Sequence, residues 1–446
     1  MRVDSFAAFT SRFGARPSYG SLWDDVRTFF EEGGSRAYVV RSVGPAATIG
    51  ALATPLSDRA STPDDTLTVA ATNAGAWSSR VSLKVLDGPT AATFRIQVLL
   101  DGILVEDFSA LTSPQHAVSR VNANSLYIRL ADAGSASVAP TNNPAAVGPV
   151  TLAAGTDDRA SVNAAVHIAS LDKFAKGLGD GAIALPGVGT SVHAALIAHA
   201  DANNRVAILA SARGDSLATL SSYAASLDAK RAGLFAPWVT IPDDFGGTRA
   251  VSPEGYVAAC RAKAHEAAGP WRAASGENAK ARYVVAPDQE FTPADAEILD
   301  TAKVNIIRTI AGSTRLYGWR SLSADFDNWR MLTGADVINR YVVEAEKQLE
   351  PYVFGTIDSS GHFLAAVQGT LTGIAQPMAD AKGLFERFNE DGDRIDPGYV
   401  INVDDSLNPT SSLALNQVYA NAGLRVSPTA AMIFLMVSKA AVTAQL

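Results

Sequence analysis

The 446-residue chain is long enough for about three domains of ordinary size. Apolar residues at 47% and charged residues at 18% describe a folded chain and exclude disorder for most of it. Thirty-seven basic against 45 acidic side chains leave a net charge of −8, so the sequence lacks the basic footprint of a nucleic-acid or anionic-lipid binder.

Leu22, Trp23, Val26, Phe29 and Phe30 fall at helical spacing, which predicts a helix over 22–31 that ends at Gly33-Gly34. Ala37 to Val40 follows as a short apolar strand expected to be buried on both faces. Residues 46 to 155 read as a mainly β insertion, because Val81 to Val85 and Phe94 to Val98 alternate at period two. Its end, Ser135 to Ala154 with Pro140, Pro144 and Pro149, reads as an exit linker.

Gly181 to Pro186, a helical stretch over 191–202, Arg205 to Ala210, a second helical stretch over 217–230, and Ala232 to Val239 then alternate. This β-α-β-α-β order predicts a right-handed parallel sheet. Farther on, Ile338, Tyr341, Val342, Ala345 and Leu349 form one helical stripe, with Arg340, Glu344, Lys347 and Gln348 off it. Pro351 ends that helix. Late strands are expected at Tyr399 to Val403, Val418 to Val426 and Ala431 to Val437. The fold class is multidomain α/β and α+β. A doubly wound α/β domain over 1–45 and 156–274 carries the mainly β insertion, and an α+β domain occupies 275–446.

Signatures of enzyme chemistry do not fit their contexts. Gly177, Gly179 and Gly181 precede a strand instead of joining strand to helix, so they are not a dinucleotide fingerprint. The turn Pro186 to Thr190 joins strand to helix but lacks the Lys-Ser/Thr pair of a phosphate loop. His265-Glu266 has no second zincin histidine, and no Gly-x-Ser-x-Gly elbow occurs. Asn389 to Asp393 resembles part of a calcium loop, but its alignment places Arg387 and Gly398 at ligand positions. Arg213-Gly214-Asp215 reads as a loop and helix cap. The single cysteine, Cys260, cannot form an intrachain disulfide, and no Cys/His spacing suits zinc. No cofactor or catalytic residue is expected. The longest wholly apolar run, Ala430 to Val437, is too short for the roughly 20 residues of a membrane span. The opening residues do not read as a secretory signal.

Only Arg425 and Lys439 carry charge in the last thirty residues, which include two β-prone segments. Strand edges are normally blocked by charge, proline or a covering element. The segment Val418 to Leu446 therefore reads either as built for pairing with another chain or as central strands of its own sheet.

Asp4-Ser5-Phe6 through Phe13-Gly14, Leu22 to Phe30, and Glu31 to Val43 resemble the opening of contractile-tail sheath proteins. Pro186-Gly187, His193 to His199, Arg205 to Leu209 and Pro237-Trp238-Val239 continue the family's order. More specific are Val304 to Arg308, Leu316 to Leu322, Trp329-Arg330, Ile338-Asn339-Arg340 and Leu349 to Phe354. Ala71 to Trp77 is similar to the Asn-Pro-Gly-x-Trp stretch of the family's inserted domain, with alanine in the proline's place. The resemblance covers 3–47 and 160–446. Family members also carry a Pro-Gly-Val-Tyr-Val type segment before the part matched by Asp4. Either the sequence is shortened or another segment makes the N-terminal link.

This resemblance implies a non-enzymatic subunit of the sheath of a phage tail, a tailocin or a related injection particle, assembled in the bacterial cytoplasm. It further implies stacked hexameric rings around an inner tube, contacts with baseplate and tail terminator proteins, and terminal arms that add strands to neighbours. Nucleic acid and membrane insertion are not part of it. The expected pairing residues are Val418, Tyr419, Leu424, Val426, Met432, Ile433, Phe434, Leu435, Met436 and Val437. Arg340, Glu344 and Lys347 are expected at a tube or neighbour contact. The rival reading is an α/β enzyme that binds a nucleotide or small metabolite at Pro186 to Thr190 and Arg213 to Ser216.

Overall fold

A computed structural model of the chain describes residues 1–431. The chain forms two compact units, one of residues 1–40 with 171 onward, the other of residues 41–170. The first unit begins with β1 (Arg2–Val3), α1 (Phe6–Phe13) and α2 (Leu22–Glu31), and β2 (Ala37–Tyr38) pairs antiparallel with β1. Ser5 caps α1 by accepting the Ala8 N–H at 3.0 Å. Val3, Phe9, Val26 and Val39 form a small core, with Phe6, Phe13, Trp23 and Phe30 against it. The strand expected at 37–40 is therefore not buried on both faces. It pairs with a two-residue strand over the α1–α2 pair, so Ala37 and Tyr38 are only half buried.

The unit 41–170 contains β3 (Leu56–Ser57), β4 (Asp65–Ala71), β5 (Val81–Asp87), β6 (Phe94–Leu100), β7 (Ile103–Leu111), α3 (Pro114–Asn124), β8 (Ile128–Asp132), β9 (Val147–Thr151) and α4 (Ala164–Ser170). They build two antiparallel sheets, β3-β4-β8 and β7-β6-β5-β9. Alternate residues Val81, Leu83, Val85 and Phe94, Ile96, Val98 point into one core with Leu67 and Val69. The stretch 135–154 is more than the expected linker, because β9 within it pairs with β5. Pro149 is tolerated there since β9 is an edge strand, where a missing N–H need not be replaced.

The first unit resumes with β10 (Ala182–Ile183), α5 (His193–Ala202), β11 (Val206–Ala210), α6 (Leu217–Ala225) and β12 (Ala232–Ala236). β10, β11 and β12 are parallel, as their alternation with helices predicts, and every residue of β11 and β12 is buried. A hairpin of β13 (Val239–Pro242) and β14 (Thr248–Val251) leads into α7 (Glu254–Ala268), and β15 (Ala286–Pro287) joins β13. After α8 (Pro293–Thr301), β16 (Val304–Ile310) lies parallel to β12, and β17 (Ser313–Tyr317) turns back against it. The main sheet is therefore ordered β10-β11-β12-β16-β17, and residues from beyond 275 supply two of its five strands.

The last described part holds α9 (Phe326–Trp329), α10 (Leu332–Leu349), α11 (His362–Asp380), the hairpin β18 (Arg387–Phe388) and β19 (Arg394–Asp396), and the pair β20 (Tyr399–Asn402) and β21 (Asn421–Leu424). Helix α10 is buried more widely than its predicted stripe. Leu332 and Ala335 pack with Trp319 in the core beside the sheet, while Val337, Tyr341 and Ala345 pack with Leu371, Ile374 and Ala375. Two cores claim the same helix, and Ile338 and Val342 are left half buried.

Candidate assembly surface

β20 and β21 run antiparallel with Tyr399 opposite Leu424 and Asn402 opposite Asn421. The chain continues past β21 as an extended segment. Arg425 N–H donates to Gly398 O at 2.7 Å, Phe385 N–H donates to Arg425 O at 2.7 Å, and Ser427 N–H donates to Gly383 O at 3.0 Å. Residues 421–427 thus lie along 398–402 and then along 383–385 by the same edge. The peptide groups of Ala422, Leu424 and Val426 point the other way, because antiparallel pairing uses alternate residues. Among the described residues no strand lies on that side.

The side chains of Val418, Leu424 and Val426 are half buried against the core of Leu364, Leu371, Ile374, Leu384 and Ile401, which fixes the segment in place. Tyr419 is largely exposed. Its backbone is held by the buried Asn408, which accepts the Tyr419 N–H at 2.6 Å and donates Nδ2–H to Tyr419 O at 2.9 Å. Arg425 reaches Asp396 Oδ2 at 2.7 Å, and the Gly398 N–H and this guanidinium hold the Asp396 carboxyl below the usual carboxylate range. Val400 and Ile395 are both 65% exposed. Met432, Ile433, Phe434, Leu435, Met436 and Val437 lie outside the described residues.

The polar positions of α10 are not equivalent. Arg340 Nε donates to Asp180 Oδ2 at 3.1 Å, where the Asp180 side chain is nearly buried, so Arg340 is already engaged within the chain. Glu344 is half buried beside a shallow groove of about 380 Å³ lined by Trp271, Arg340, Ile374 and Met378. Lys347 is exposed.

Sequence reasoning missed two buried carboxylates that tie distant segments together, one of them on α10. Asp336, wholly buried, accepts from Arg261 Nε at 2.8 Å and from Trp319 Nε1 at 3.1 Å, with His265 Nε2 at 3.5 Å. Burial pushes its carboxyl up, but Arg261 and then His265 outweigh this and hold it below its ordinary value. Glu32, also wholly buried, accepts the backbone N–H groups of Arg282, Tyr283 and Val284 at 2.9–3.0 Å, with Lys263 Nζ at 3.3 Å. Asp336 sits one turn before the predicted polar face, and a charged residue within an apolar helix start was the available signal.

The loops of the rival reading are occupied by the chain's own groups. Gly187 N–H donates to Glu254 Oε1 at 3.3 Å, and Ser21 Oγ donates to Pro186 O at 2.7 Å. Arg213 pairs with Asp288 at 2.6 Å, Asp215 Oδ2 accepts the Ala212 N–H at 3.0 Å, and Ser216 caps α6.

No protein-family model matches the chain, and no curated protein matches it by sequence. Solved structures do. A sheath tail protein from Listeria innocua superposes with a TM-score of 0.60 at 11% identity, over 91% of this chain and 85% of that one. The fold is the tail-sheath fold. A sheath tail protein from Desulfitobacterium hafniense shares it with a TM-score of 0.52 at 13% identity, over 91% and 86% of the two chains. The helical sheath of the anti-feeding prophage, in its contracted state, gives a TM-score of 0.50 at 14% identity over 91% and 98%. These identities are too low to align functional residues one by one, so the sheath fold here is an agreement of architecture.

Proposed function

We propose that this chain is a structural subunit of a contractile tail sheath, which polymerises helically around an inner tube and contracts to drive that tube through a cell envelope. The observation that carries the reading is the sheath fold matched over 91% of the chain. In this reading the subunits form stacked hexameric rings that contact the tube protein, the baseplate and the tail terminator. Residues 46–155 lie on the outside and 275–446 face the tube. The particle is a phage tail or a related injection system, assembled in the host bacterial cytoplasm.

The open side of residues 421–427 supports strand addition. Backbone pairing supplies hydrogen bonds without demanding particular side chains, and it keeps neighbours tethered while they rotate. Leu424 and Val426 present that edge, Val418 and Tyr419 lead into it, and Met432 to Val437 supply an apolar segment to pair with a neighbour's edge. Glu344 and Lys347, with Arg340 behind them, are the polar contacts proposed for tube or neighbour. Contraction needs no nucleotide, because the work is the free-energy difference between two lattices with different interfaces.

The test compares the full chain with a version that ends at Thr429, by negative-stain electron microscopy across a concentration series. Regular hollow tubes from the full chain alone are expected. If the full chain stays a small discrete oligomer even with its tube and baseplate as templates, the sheath reading is wrong.

A further inference from the structure

Two carboxyl groups are buried side by side where α2 meets the first turn of α7. Asp25 and Glu254 are 2% and 3% exposed. Asp25 Oδ2 accepts from Ser252 Oγ at 2.9 Å, and its Oδ1 accepts the Gly255 N–H at 3.0 Å, so the Asp25 carboxyl spans the residues on either side of Glu254. Glu254 Oε1 accepts the Gly187 N–H at 3.3 Å, while Oε2 is buried and has no hydrogen-bond partner among the described residues. A Cβ on Gly255 would lie 2.2 Å from the Asp25 carbonyl oxygen, so the two backbones are in direct contact and the seam has no room for a larger residue there.

The charges around this seam are accounted for element by element. On α2, Asp24 takes Arg16 and, from β14, Arg249, while Arg27 turns to Asp244. Turn 186–190 contributes the Gly187 N–H and no charged side chain. In the first turn of α7, Tyr256 donates to the Ala279 carbonyl. Neither Asp25 nor Glu254 has an ion-pair partner among the described residues. Two adjacent carboxylates without a cation cannot both stay ionised in such a site.

We propose that Asp25 and Glu254 hold a proton between them and make the α2–α7 seam a proton-dependent clamp, tight when protonated and loosened when the proton leaves. Protonation gives the orphaned Oε2 of Glu254 a hydrogen to donate, and the Ser252 hydroxyl faces both carboxyls. Loss of the proton leaves two repelling charges at a contact that anchors residues 1–40 to the body. Burial, and for Asp25 also the Glu254 charge, push both groups up, Glu254 to about 7. Because the folded chain binds this proton more tightly than the unfolded chain does, stability is greatest at low pH within the window and falls as pH rises from about 4.5 through 7. This inference is independent of the sheath reading.

The test follows thermal unfolding of the full chain and of E254Q from pH 5 to 8, with hydrogen exchange at 22–31 corrected for its intrinsic pH dependence. In the parent chain the protection of α2 is expected to fall by about 100-fold between pH 5 and 8, the part of a shift from 4.5 to about 7 that this range covers. E254Q should remove most of that slope. Equal slopes in both chains would overturn the clamp. A second readout needs no variant: carbon-13 carboxyl titration of the parent chain should show a carboxyl of the Asp25–Glu254 pair titrating in the neutral range, and ordinary acidic titration of every aspartate and glutamate would overturn the proposal.

Discussion

The Trp319 indole donates to Asp336 Oδ2 at 3.1 Å with both residues wholly buried, and the same carboxylate receives Arg261 from α7. One aspartate thus ties α10, α7 and the segment after β17 together. Asp336→Ala leaves the buried Arg261 charge uncompensated and is expected to cost about 3–5 kcal/mol in chemical denaturation. Because the Asp336 carboxyl is held below its ordinary value, its contribution is present above the ordinary carboxylate range and is lost on further acidification. The parent chain should therefore lose stability at acid pH more steeply than Asp336→Asn.

Glu32→Gln places an amide NH₂ where four donors converge, from Arg282, Tyr283, Val284 and Lys263. An amide oxygen can serve only some of them. A loss of about 2–3 kcal/mol is expected from denaturant titration.

Asn408→Ala removes both hydrogen bonds that hold the Tyr419 backbone. The expected result is faster proteolysis within 410–427, with a global stability change of about 1–3 kcal/mol. Under the sheath reading, the same variant should raise the concentration needed for tube formation in the electron-microscopy series.

Arg340→Ala separates an internal role from a contact role. Its pair with Asp180 is partly exposed, so a double-mutant cycle with Asp180→Ala should give a coupling of less than about 1 kcal/mol. A much larger effect of Arg340→Ala on assembly than on monomer stability would assign the residue to an interface.

The elements that local pattern controls were legible in the chain. Val81 to Val85 and Phe94 to Val98 alternate because one face of each meets the core, and β11 and β12 are continuous apolar runs because both their faces are covered. The order of strands and helices from 181 to 239 then required a parallel sheet, and the quoted motifs pointed to the sheath fold that the superpositions display. Tertiary structure decided what pairs across long distances. Nothing local marks Val147–Thr151 as the partner of β5, or β16 and β17 as members of a sheet begun more than a hundred residues earlier. The partners of the buried carboxylates Asp25, Glu32 and Glu254 were likewise invisible in advance, because each looks like an ordinary charge in or beside a helix until its distant partners arrive, and for Asp336 only its place in an apolar helix start gave a signal. Side-chain periodicity reports which face of an element is covered, whereas the identity of the covering group is set only when the chain closes on itself.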